Sequence, residues 1–585
     1  MCTQRFPFSL PSLRRFGFSL SLSLKLRNQR AMEKELPTHP HPLIPCYMSS
    51  SRRCGMCFRL SDTSGGFDGF YCVTCINGVF HKECAESPLE LHHHPYHPPH
   101  SLSLLPHGHH LLQGSELCSC CAEELGGEWA YRCQICDFFI HLRCANRPPA
   151  LEVAQPRSHD HKLFLLPKPR PFTCDACGLM LDGSFLPWTC LECGAMIHRE
   201  CIDLPRVIRI SRHPQHRLCY VSSPPPSPAR EPSWSCGVCR KVVDNRYGAY
   251  SCIKDDCHYV VHPKCGTRRD VWDGVDLEGF PEEPEDIEPP FQVIDDKVIR
   301  HFSHDHHLKL NEDDGADFDG SKHCGICALS IRIHLGNIYS CMKRDCDVAL
   351  HEKCANLPRK IWCMLHPHRL ELQIIDMAGC DVCIRLCCGY IYSCSKEGCG
   401  FKVDVNCASV SEPLTHITHP HPLFSMSISM RGDACSGCKD EDKPHKMQCT
   451  ECDFNLCFKC ITLPPKVRYK QDRHPLVLGG GGGGEEVASW WCEICEEEME
   501  PDKEMYYTCD SCCVTVHVRC ILGEEPYVKT GRYSTSCEED YEVVANVRCC
   551  RPTCHHCLNR CPFPIAFKRN GLYFCTSHYL WAFVQ

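Results

Sequence analysis

Cysteine pairs of the form Cys-x2-Cys recur along this chain, each followed by further cysteines and histidines in a fixed order. With 56 cysteines and 37 histidines in 585 residues, the sequence is rich in the side chains that bind zinc most readily. Thiolate and imidazole groups at such spacings are typical of tetrahedral zinc sites. We therefore predict zinc as a structural cofactor, with about two ions in each repeat. The eight repeated sets begin at Cys54, Cys118, Cys174, Cys236, Cys324, Cys380, Cys435 and Cys492.

The third repeat has the clearest order of candidate ligands. A histidine pair comes first, followed by two Cys-x2-Cys pairs and a late His-x2-Cys pair, which together are enough for two zinc ions. The histidine pairs lead the repeats, because His39 and His41 precede every cysteine pair and no similar pair follows Cys520. The candidate ligands of this repeat are His159, His161, Cys174, Cys177, Cys190, Cys193, His198 and Cys201.

The other repeats follow this order with a few substitutions. In the fourth, fifth and sixth repeats, four residues rather than two separate the second pair of cysteines. Cys457 replaces the late histidine in repeat seven, Asp404 replaces it in repeat six, and Asp472 replaces the first leading histidine in repeat eight. Thiolate and carboxylate are both zinc ligands, so we expect coordination at all three positions, most weakly at Asp404.

The second repeat contains more histidines than its sites need. We assign His97 and His100 as its leading pair, because their distance from the following leucine matches that in the fourth repeat. The other histidines there are expected to be solvated, namely His92, His93, His94, His107, His109 and His110. The remaining candidate ligands are His39, His41, Cys54, Cys57, Cys72, Cys75, His81, Cys84, His97, His100, Cys118, Cys121, Cys133, Cys136, His141, Cys144, His213, His216, Cys236, Cys239, Cys252, Cys257, His262, Cys265, His304, His306, Cys324, Cys327, Cys341, Cys346, His351, Cys354, His366, His368, Cys380, Cys383, Cys394, Cys399, Asp404, Cys407, His419, His421, Cys435, Cys438, Cys449, Cys452, Cys457, Cys460, Asp472, His474, Cys492, Cys495, Cys509, Cys512, His517 and Cys520.

The end of the chain departs from the repeat but keeps zinc-ligand spacing. A ninth candidate cluster there consists of Cys554, Cys557, Cys575 and His578. Three further cysteines lie close to it in sequence, namely Cys549, Cys550 and Cys561. Of the cysteines outside the repeat, we expect most to be ordinary free thiols, among them Cys120, Cys387, Cys388 and Cys513.

Charge and hydropathy argue against several classes of function. The formal net charge is −9, with 63 Lys and Arg against 72 Asp and Glu, so the chain has no strong basic field for nucleic acid. No apolar run approaches the roughly 18 residues of a transmembrane helix. A disulfide scaffold would not require histidine at fixed offsets. We expect an intracellular protein of the cytoplasm or nucleus. Residues 1–31 are interpreted as a disordered upstream extension, or as a transit-like segment for organellar import if they are translated.

Apolar residues around the ligands predict the local structure. A repeat of about 50 residues buries too little apolar area to fold alone, whereas structural zinc can contribute about 10 kcal/mol. Aromatic residues two positions before the third cysteine predict a short strand, and ligands three apart predict a helical turn. The aromatic residues are Tyr131, Trp188, Tyr250, Tyr339, Tyr392 and Tyr507, with Met447 in repeat seven and Tyr71, one residue off, in repeat one. The apolar residues before the late ligand are Phe80, Ile140, Ile197, Val261, Leu350, Val403, Leu456 and Val516.

The fold class predicted is therefore a small, metal-dominated α+β array of eight tandem zinc fingers, each with its own small core and little dependence on its neighbours. An acidic segment at 267–300 is interpreted as a linker that divides the array into two blocks of four. The predicted modules span 39–85, 92–145, 159–202, 213–266, 301–355, 366–408, 416–461 and 472–521, with a C-terminal Cys-rich zinc segment at 545–579.

The sequence resembles the plant DC1 family, the divergent C1 or Cys/His-rich C1-like zinc fingers. The resemblance rests on leads such as His-Pro-His-Pro-Leu at 419–423, on the run from Tyr250 to Cys265, and on the Arg-Pro-x-Cys-x2-Cys segment at 551–557. It implies two interleaved zinc sites in each module. The leading histidines would join the second cysteine pair, and the first cysteine pair would join the late histidine and cysteine.

The resemblance favours an interaction protein of plant signalling or stress response in which zinc is structural and the partners are proteins. An enzyme is not expected, because catalytic zinc keeps an open position and these sites have four protein ligands. One alternative is binding of diacylglycerol or another lipid, for which the loop of repeat three offers Phe185 to Trp188 but no Gln-Gly feature. Another is a PHD-like or RING-like protein of chromatin or the ubiquitin pathway, although a RING has a different ligand order and a PHD finger ends in Cys-x2-Cys.

Overall fold

The computed structural model describes most of the chain from Lys34 onward. The predictions for residues 1–31, for His107, His109 and His110, for Phe185, and for Cys549 and Cys550 lie outside the described residues. The described residues are 34–48, 53–58, 67–75, 78–106, 117–121, 123–126, 128–146, 151–166, 168, 170–181, 186–226, 234–254, 256–282, 288–312, 322–331, 333, 335–426, 434–441, 445–480, 490–501, 503–534, 540–546 and 551–584.

The chain forms two compact units. The first comprises Met1–Leu204 with Arg246–Gly248, and the second comprises Pro205–Asn245 with Ala249–Gln585. The predicted division into two blocks of four repeats is therefore wrong. The fourth repeat belongs almost entirely with the fifth to eighth, and the boundary lies before it rather than in the acidic segment.

Small antiparallel sheets make up the first unit, one for each of the first three repeats. The order of strands in them is β1-β2-β3, β4-β5-β6-β7 and β13-β12-β9-β8, with β10 and β11 as a separate pair. The strands are β1 Ile44–Met48, β2 Phe67–Tyr71, β3 Val79–His81, β4 Glu90–Leu91, β5 Leu102–Leu105, β6 Ala130–Cys133, β7 Phe139–His141, β8 Glu152–Val153, β9 Leu163–Leu165, β10 Phe172–Thr173, β11 Met180–Leu181, β12 Trp188–Thr189 and β13 Met196–Ile197.

The second unit repeats the same kind of sheet. Its larger sheets have the orders β14-β15-β18-β19, β20 to β24, β25 to β28, β29 to β32, β33-β34-β37-β38 and β39 to β42. The strands are β14 Val207–Ile210, β15 His213–Val221, β16 Trp234–Ser235, β17 Val242–Val243, β18 Ala249–Cys252, β19 Val260–Val261, β20 Phe291–Asp295, β21 Val298–His301, β22 Leu308–Asn311, β23 Ile338–Cys341, β24 Ala349–His351, β25 Lys360–Trp362, β26 Arg369–Gly379, β27 Leu386–Cys394, β28 Lys402–Asp404, β29 Leu414–His416, β30 His419–Ser425, β31 Lys446–Cys449, β32 Asn455–Cys457, β33 Lys466–Val467, β34 Leu476–Gly479, β35 Trp490–Trp491, β36 Glu498–Met499, β37 Tyr506–Cys509, β38 Val514–His517, β39 Gly531–Ser534, β40 Asp540–Ala545, β41 Ile565–Arg569 and β42 Leu572–Phe574.

One short helix follows the last strand of each repeat. In repeats one, five and eight the late histidine has extended backbone and stands at the N-cap, so the cysteine three residues later lies in the first helical turn. This confirms the predicted strands and helical turn. The helices are α1 Lys82–Ala85, α2 Leu142–Asn146, α3 Pro263–Gly266, α4 Glu352–Ala355, α5 Val405–Ala408, α6 Phe458–Ile461, α7 Val518–Leu522 and α8 Ser577–Val584, with a 3-10 turn at Arg199–Cys201.

The predicted module boundaries omit the first strand of the sheet. In repeats two and six, strands β4 and β25 lie before the leading histidines, whereas the predicted modules begin at 92 and 366. Ile361 of β25 lies opposite Leu370 of β26, so this strand is an integral part of the sheet. From here on, "module" means a repeat together with its first strand.

The segment at 267–300 is not a bare linker. Asp276 accepts hydrogen bonds from the amides of Arg206 and Val207, and buried Val271 joins the core of module 4. Further on, β20 and β21 extend the sheet of module 5 to five strands. The segment is too poor in apolar residues to fold alone, but it folds onto the modules on either side of it.

The predicted core positions are buried. All eight apolar residues before the late ligands are at most 6% exposed, and Tyr131, Tyr250 and Tyr507 are fully buried. In module 1 the aromatic position belongs to Phe70, which is 4% exposed and lies opposite Phe80. The assignment of Tyr71 to this position is therefore wrong.

One apolar core runs through modules 5 to 8. It includes Leu308, Tyr392, Met447 and Tyr507, which come from four different modules, together with Tyr527 from the segment that follows them. The expectation that each module has an independent core is therefore wrong for this part of the chain, because the sheets are too small to cover their own apolar faces.

Tyr527 contacts both module 6 and module 7. Its side chain is 3% exposed, and its hydroxyl donates to the carbonyl oxygen of Thr462 at 3.3 Å. Its own carbonyl accepts a hydrogen bond from the amide of Cys388 at 2.9 Å. The guanidinium of Arg385 lies 5.9 Å from the ring centroid. Tyr527 thus joins modules 6 and 7 to the chain that leads to the C-terminal region.

Candidate metal centres

The first cysteine pairs of modules 1 and 3 to 8 lie on turns of the same geometry, as does the pair that begins at Cys554. The residue after the second cysteine has a left-handed backbone, and its amide donates to the carbonyl of the first cysteine in seven modules and in the C-terminal region. Sequence reasoning missed this position, because only Gly178 among these residues is a glycine. The residues are Phe58, Gly178, Arg240, Ala328, Ile384, Lys439, Glu496 and Leu558.

The first cysteine pair meets the late histidine and cysteine, which defines the late-ligand site of a module. In module 1, His81 Nδ1 lies 3.3 Å from Cys57 Sγ and 3.8 Å from Cys84 Sγ, and the His81 amide donates to Cys54 Sγ. The matching histidine-to-sulfur distances are 3.3 Å for Cys121–His141, 3.5 Å for Cys177–His198, 3.4 Å for Cys239–His262, 3.3 Å for Cys327–His351 and 3.3 Å for Cys495–His517.

The leading histidines meet the second cysteine pair, which defines the leading-histidine site. His39 Nε2 and His41 Nδ1 lie 3.5 and 3.3 Å from Cys75 Sγ. The wider Cys-x4-Cys spacing is accommodated in module 4, where His213 Nε2 lies 3.4 Å from both Cys252 and Cys257. Between paired histidines, the nitrogen-to-nitrogen distances are 3.3 Å for His97–His100, 3.2 Å for His304–His306 and 3.1 Å for His366–His368.

These two kinds of site alternate along the chain. Groups of four ligand atoms lie within 4.8 Å of one another, and 12 more groups of at least three His, Cys, Asp or Glu side chains meet the same criterion. The four-residue groups include His39, His41, Cys72 and Cys75; Cys54, Cys57, His81 and Cys84; His97, His100, Cys133 and Cys136; Cys118, Cys121, His141 and Cys144; and His159, His161, Cys190 and Cys193.

Comparison with family models identifies five of the modules and the C-terminal region. A model described as "C1 domain" matches residues 95–145, 157–202, 211–266, 302–355 and 470–521, and one described as "C1 domain-like, C-terminal" matches residues 541–580. The chain belongs to the C1-like family of the DC1 type. Comparison with curated proteins and with solved structures finds no match. Within the described residues, the helices are all too short or too polar to cross a membrane.

In modules 4 and 6, the first leading histidine of the C1-like site is neutral, which is the state that binds a metal ion. Burial, followed by the charge of the neighbouring histidine, lowers the pKa of His213 and of His366 to about 4, so both imidazoles are neutral. Contacts with Cys54 and Cys57 instead raise the pKa of His81 to about 10. A metal ion at the late-ligand site would displace that proton, because it binds neutral imidazole and thiolate.

The aspartate of module 6 has one oxygen available for a ligand bond. Asp404 Oδ1 accepts from the amides of Asn406 and Cys407 and so caps helix α5. Its Oδ2 lies 3.3 Å from Cys383 Sγ. Burial raises the pKa of this carboxyl to about 6. The same side chain can therefore cap the helix and bind a cation.

The other two substituted sites are also assembled. In module 7, Cys457 Sγ lies 3.6 Å from Cys438 Sγ and 3.7 Å from Cys460 Sγ. In module 8, Asp472 Oδ1 and His474 Nδ1 each lie 3.1 Å from Cys512 Sγ. The structure therefore brings together the predicted ligands at each of these substitutions.

His94 does not behave as the sequence predicts. It is 6% exposed, and its Nε2 lies 3.2 Å from the carbonyl oxygen of Ala145. The prediction that it is solvated is wrong, because the ring packs beneath helix α2 three residues before the ligand His97. His92 and His93 are exposed, in agreement with the prediction.

In the described part of the C-terminal C1-like domain, the cysteines form one cluster. Cys557 Sγ lies 3.8 Å from Cys575 Sγ, and buried Cys554 precedes them on the turn. His578 is exposed in the first turn of helix α8, and Cys561 is buried. The structure thus brings together the predicted ligands Cys557 and Cys575 and leaves the predicted ligand His578 at the surface.

The cysteines outside the repeat have varied surroundings. Cys387 Sγ donates to the carbonyl of Ala378 and Cys388 Sγ to Tyr533 Oη, so both are buried partners of the sheet. Cys513 is exposed. None of the cysteines that the structure describes forms a disulfide.

Proposed function

We propose that this chain is a zinc-stabilised interaction protein with eight C1-like modules and a C-terminal C1-like domain. Each module would hold two zinc ions and the C-terminal domain one, for a total of roughly 14 to 17 ions when weak sites are allowed for. The ligands would be those assigned from the sequence, paired as leading-histidine and late-ligand sites.

The separations between ligand atoms are the observation that supports zinc. Tetrahedral zinc with bonds of about 2.0 Å to nitrogen and 2.3 Å to sulfur requires N–S distances of about 3.5 Å and S–S distances of about 3.8 Å. In the late-ligand sites, the histidine nitrogen lies 3.3 to 3.5 Å from the sulfur of the second cysteine, and Cys435 Sγ lies 3.8 Å from Cys460 Sγ. Thiols packed without a metal have no reason to repeat these distances in module after module.

The chemistry of the proposed sites is structural rather than catalytic. Four protein ligands complete a tetrahedron and leave no position for a substrate or a water molecule. We therefore propose that the protein is not an enzyme and that zinc supplies the folding free energy which the small cores lack.

Apolar side chains at the tips of the second cysteine turns support a role in binding protein partners. Val73, Ile135 and Leu191 follow or lie between those cysteines and are 71%, 75% and 73% exposed. Exposed apolar groups that recur in the same turn of a repeat suit an interaction surface. A role in plant signalling or stress response is the setting that we propose for it.

The zinc content is the direct test. Atomic emission on chain purified with little free metal is expected to give roughly 14 to 17 zinc ions per molecule. Thiol titration under denaturing, non-reducing conditions should find the cysteines reduced. A content of two or three ions, with most cysteines in disulfides, would refute the proposal.

Two adjacent cysteines provide a matched test of the ligand assignment. Cys512→Ser should remove one zinc ion, because Cys512 contacts Asp472 and His474, whereas Cys513→Ser should remove none. Equal zinc contents in the two variants would contradict the assigned site.

Partner binding can be tested by proximity labelling in plant cells with the wild type and a Val73→Ser, Ile135→Ser, Leu191→Ser variant. The proposal predicts a set of labelled proteins that the variant loses. Loss of binding to diacylglycerol-containing vesicles, without any change in labelled proteins, would favour the lipid-binding alternative instead.

A further inference from the structure

The second leading histidine of a module has one ring nitrogen directed at its site and one directed away from it. In module 6, His368 Nδ1 lies 3.1 Å from His366 Nε2 and 3.6 Å from Cys394 Sγ, so Nδ1 is the nitrogen that would bind zinc. In module 5, His306 Nδ1 lies 3.2 Å from His304 Nε2. In both histidines, Nε2 is therefore the outer nitrogen.

A lysine contacts this outer nitrogen in modules 5 and 6. Lys343 Nζ lies 3.4 Å from His306 Nε2, and Lys396 Nζ lies 2.9 Å from His368 Nε2. Each lysine stands two residues after the third cysteine of its module. An ammonium group can only donate, so the contact requires an outer nitrogen without a proton.

Zinc requires the opposite tautomer. When Nδ1 binds the metal as neutral imidazole, Nε2 must carry the proton and becomes a donor. The ammonium group of the lysine would then face the Nε2–H donor of the histidine, to which it cannot hydrogen-bond. Its positive charge would also lie close to the zinc cation. The lysine contact therefore favours the metal-free form of the site.

Module 7 has the reverse arrangement at the same place. His421 Nδ1 lies 3.7 Å from Cys449 Sγ, and Glu451 Oε2 lies 3.4 Å from His421 Nε2. A carboxylate accepts the outer proton and so holds the tautomer that binds zinc. Module 3 also places a carboxylate there, with Glu192 Oε2 3.8 Å from His161 Nε2.

Module 4 has a lysine at the equivalent position, but an acid engages it. Lys254 Nζ lies 3.6 Å from Glu282 Oε2, an acidic residue of the segment that folds onto this module. Among the described residues, the lysine contact with the histidine is thus a feature of modules 5 and 6.

We propose that Lys343 and Lys396 make the leading-histidine sites of modules 5 and 6 the first to release zinc, whereas Glu451 and Glu192 help modules 7 and 3 to retain it. The two lysine sites form a labile pair of zinc positions within an otherwise stable array. This inference rests on the proposed zinc binding.

Pulsed alkylation followed by mass spectrometry tests the order of release on the full-length zinc-loaded chain. With a chelator present, the cysteines of the labile sites, Cys341, Cys346, Cys394 and Cys399, should react about three- to tenfold faster than Cys449 and Cys452, as expected for a partly exposed group that contacts a ligand. Lys343→Glu and Lys396→Glu should abolish the difference. Glu451→Lys should bring the cysteines of module 7 to the faster rate.

Lys309→Glu is the matched control, because Lys309 is exposed on the sheet of module 5 and the substitution changes the charge equally. It should leave the rates unchanged. Equal alkylation rates at all leading-histidine sites, unaffected by the lysine and glutamate variants, would overturn the inference while the zinc content remained intact. A chain that carries no zinc would instead refute the proposed function itself.

Discussion

Module 8 and the C-terminal C1-like domain have the same strand order but close one end of the sheet differently. In module 8, β37 and β38 are joined through Cys509 and Cys512, which meet Asp472 and His474. In the C-terminal domain, β41 and β42 are joined by Asn570 and Gly571 alone. One hairpin is closed by ligands for a metal and the other by a two-residue turn.

The turn residues explain how the C-terminal domain closes its hairpin without a leading-histidine site. Asn570 and Gly571 have φ angles of 50° and 81°, and Asn-Gly with two positive φ angles forms the type I′ turn that suits a tight hairpin. Behind it, Tyr541 packs edge to face against Trp581, with ring centroids 5.3 Å apart, and Phe567 is buried. Turn chemistry and a larger aromatic core thus replace a leading-histidine site.

Both regions retain the late-ligand half of the module. The amide of Glu496 donates to the carbonyl of Cys492, and the amide of Leu558 donates to the carbonyl of Cys554. The Cys554 turn also contacts the last strand, since the amide of His555 donates to the carbonyl of Tyr573. The comparison indicates that the late-ligand site anchors the fold and that the other site is replaceable.

Removal of zinc should produce the largest difference in stability between the two regions. Structural zinc contributes on the order of 10 kcal/mol in small domains, and under the proposed zinc binding module 8 would hold two ions where the C-terminal domain would hold one. In hydrogen exchange with excess chelator, the amides of β37 should lose protection completely while those of β41 retain part of theirs. Simultaneous and equal loss in both strands would contradict the comparison.

The connection between the two regions should be the next most sensitive position. Tyr527→Ala removes a buried aromatic ring and should destabilise the packing around it by about 3 to 5 kcal/mol. Tyr527→Phe removes only the hydroxyl that donates to Thr462 and should cost about 1 kcal/mol. Native-state hydrogen exchange in β27, where the Cys388 amide meets Tyr527, measures both. Equal effects of the two variants would show that the ring packing contributes little.

Sequence spacing predicted the candidate ligands, and the resemblance to the DC1 family predicted their association into two kinds of site. Cys54 and His198 could be recognised as ligands because the spacing that coordination requires recurs in every repeat. The features that sequence spacing could not predict depend on contacts between modules. Val271 belongs to the predicted acidic linker, and Tyr527 lies between the predicted module 8 and the predicted C-terminal segment. Both are nevertheless buried, because small sheets need apolar cover from segments outside the repeat.

The first strands of modules 2, 3 and 8 were missed for a related reason. Glu90–Leu91 and Lys466–Val467 have two residues each, too few for any periodic pattern. Their strand conformation is imposed by pairing with the strand that follows the leading histidines. His94 was missed because histidine-rich sequence gives no sign of which ring lies beneath the helix.

Substitution of the turn glycine should have a moderate effect confined to the C-terminal domain. Gly571→Ala places a side chain at a positive φ and should cost about 1 kcal/mol, although no atom lies within 4 Å of the new Cβ. Gly379→Ala is the control, since its surroundings are equally open and its φ is not positive. Local opening of β41 and β42 by hydrogen exchange is the measurement. If both variants behave alike, the turn does not replace the metal site through its backbone conformation.

The smallest effect should be shared by the two regions. Glu496 and Leu558 occupy the same left-handed position after the second cysteine, with φ angles of 59° and 62°. Glycine adopts this conformation without the steric cost of a Cβ atom but loses more entropy on folding, so Glu496→Gly and Leu558→Gly should each stabilise the turn by about 0.5 kcal/mol. Slower release of zinc from the adjacent late-ligand sites would measure the gain. Because both regions keep this half of the module, zinc release should slow by the same factor in the two variants. Slower release in module 8 alone would mean that the C-terminal cysteine turn does not stabilise its domain.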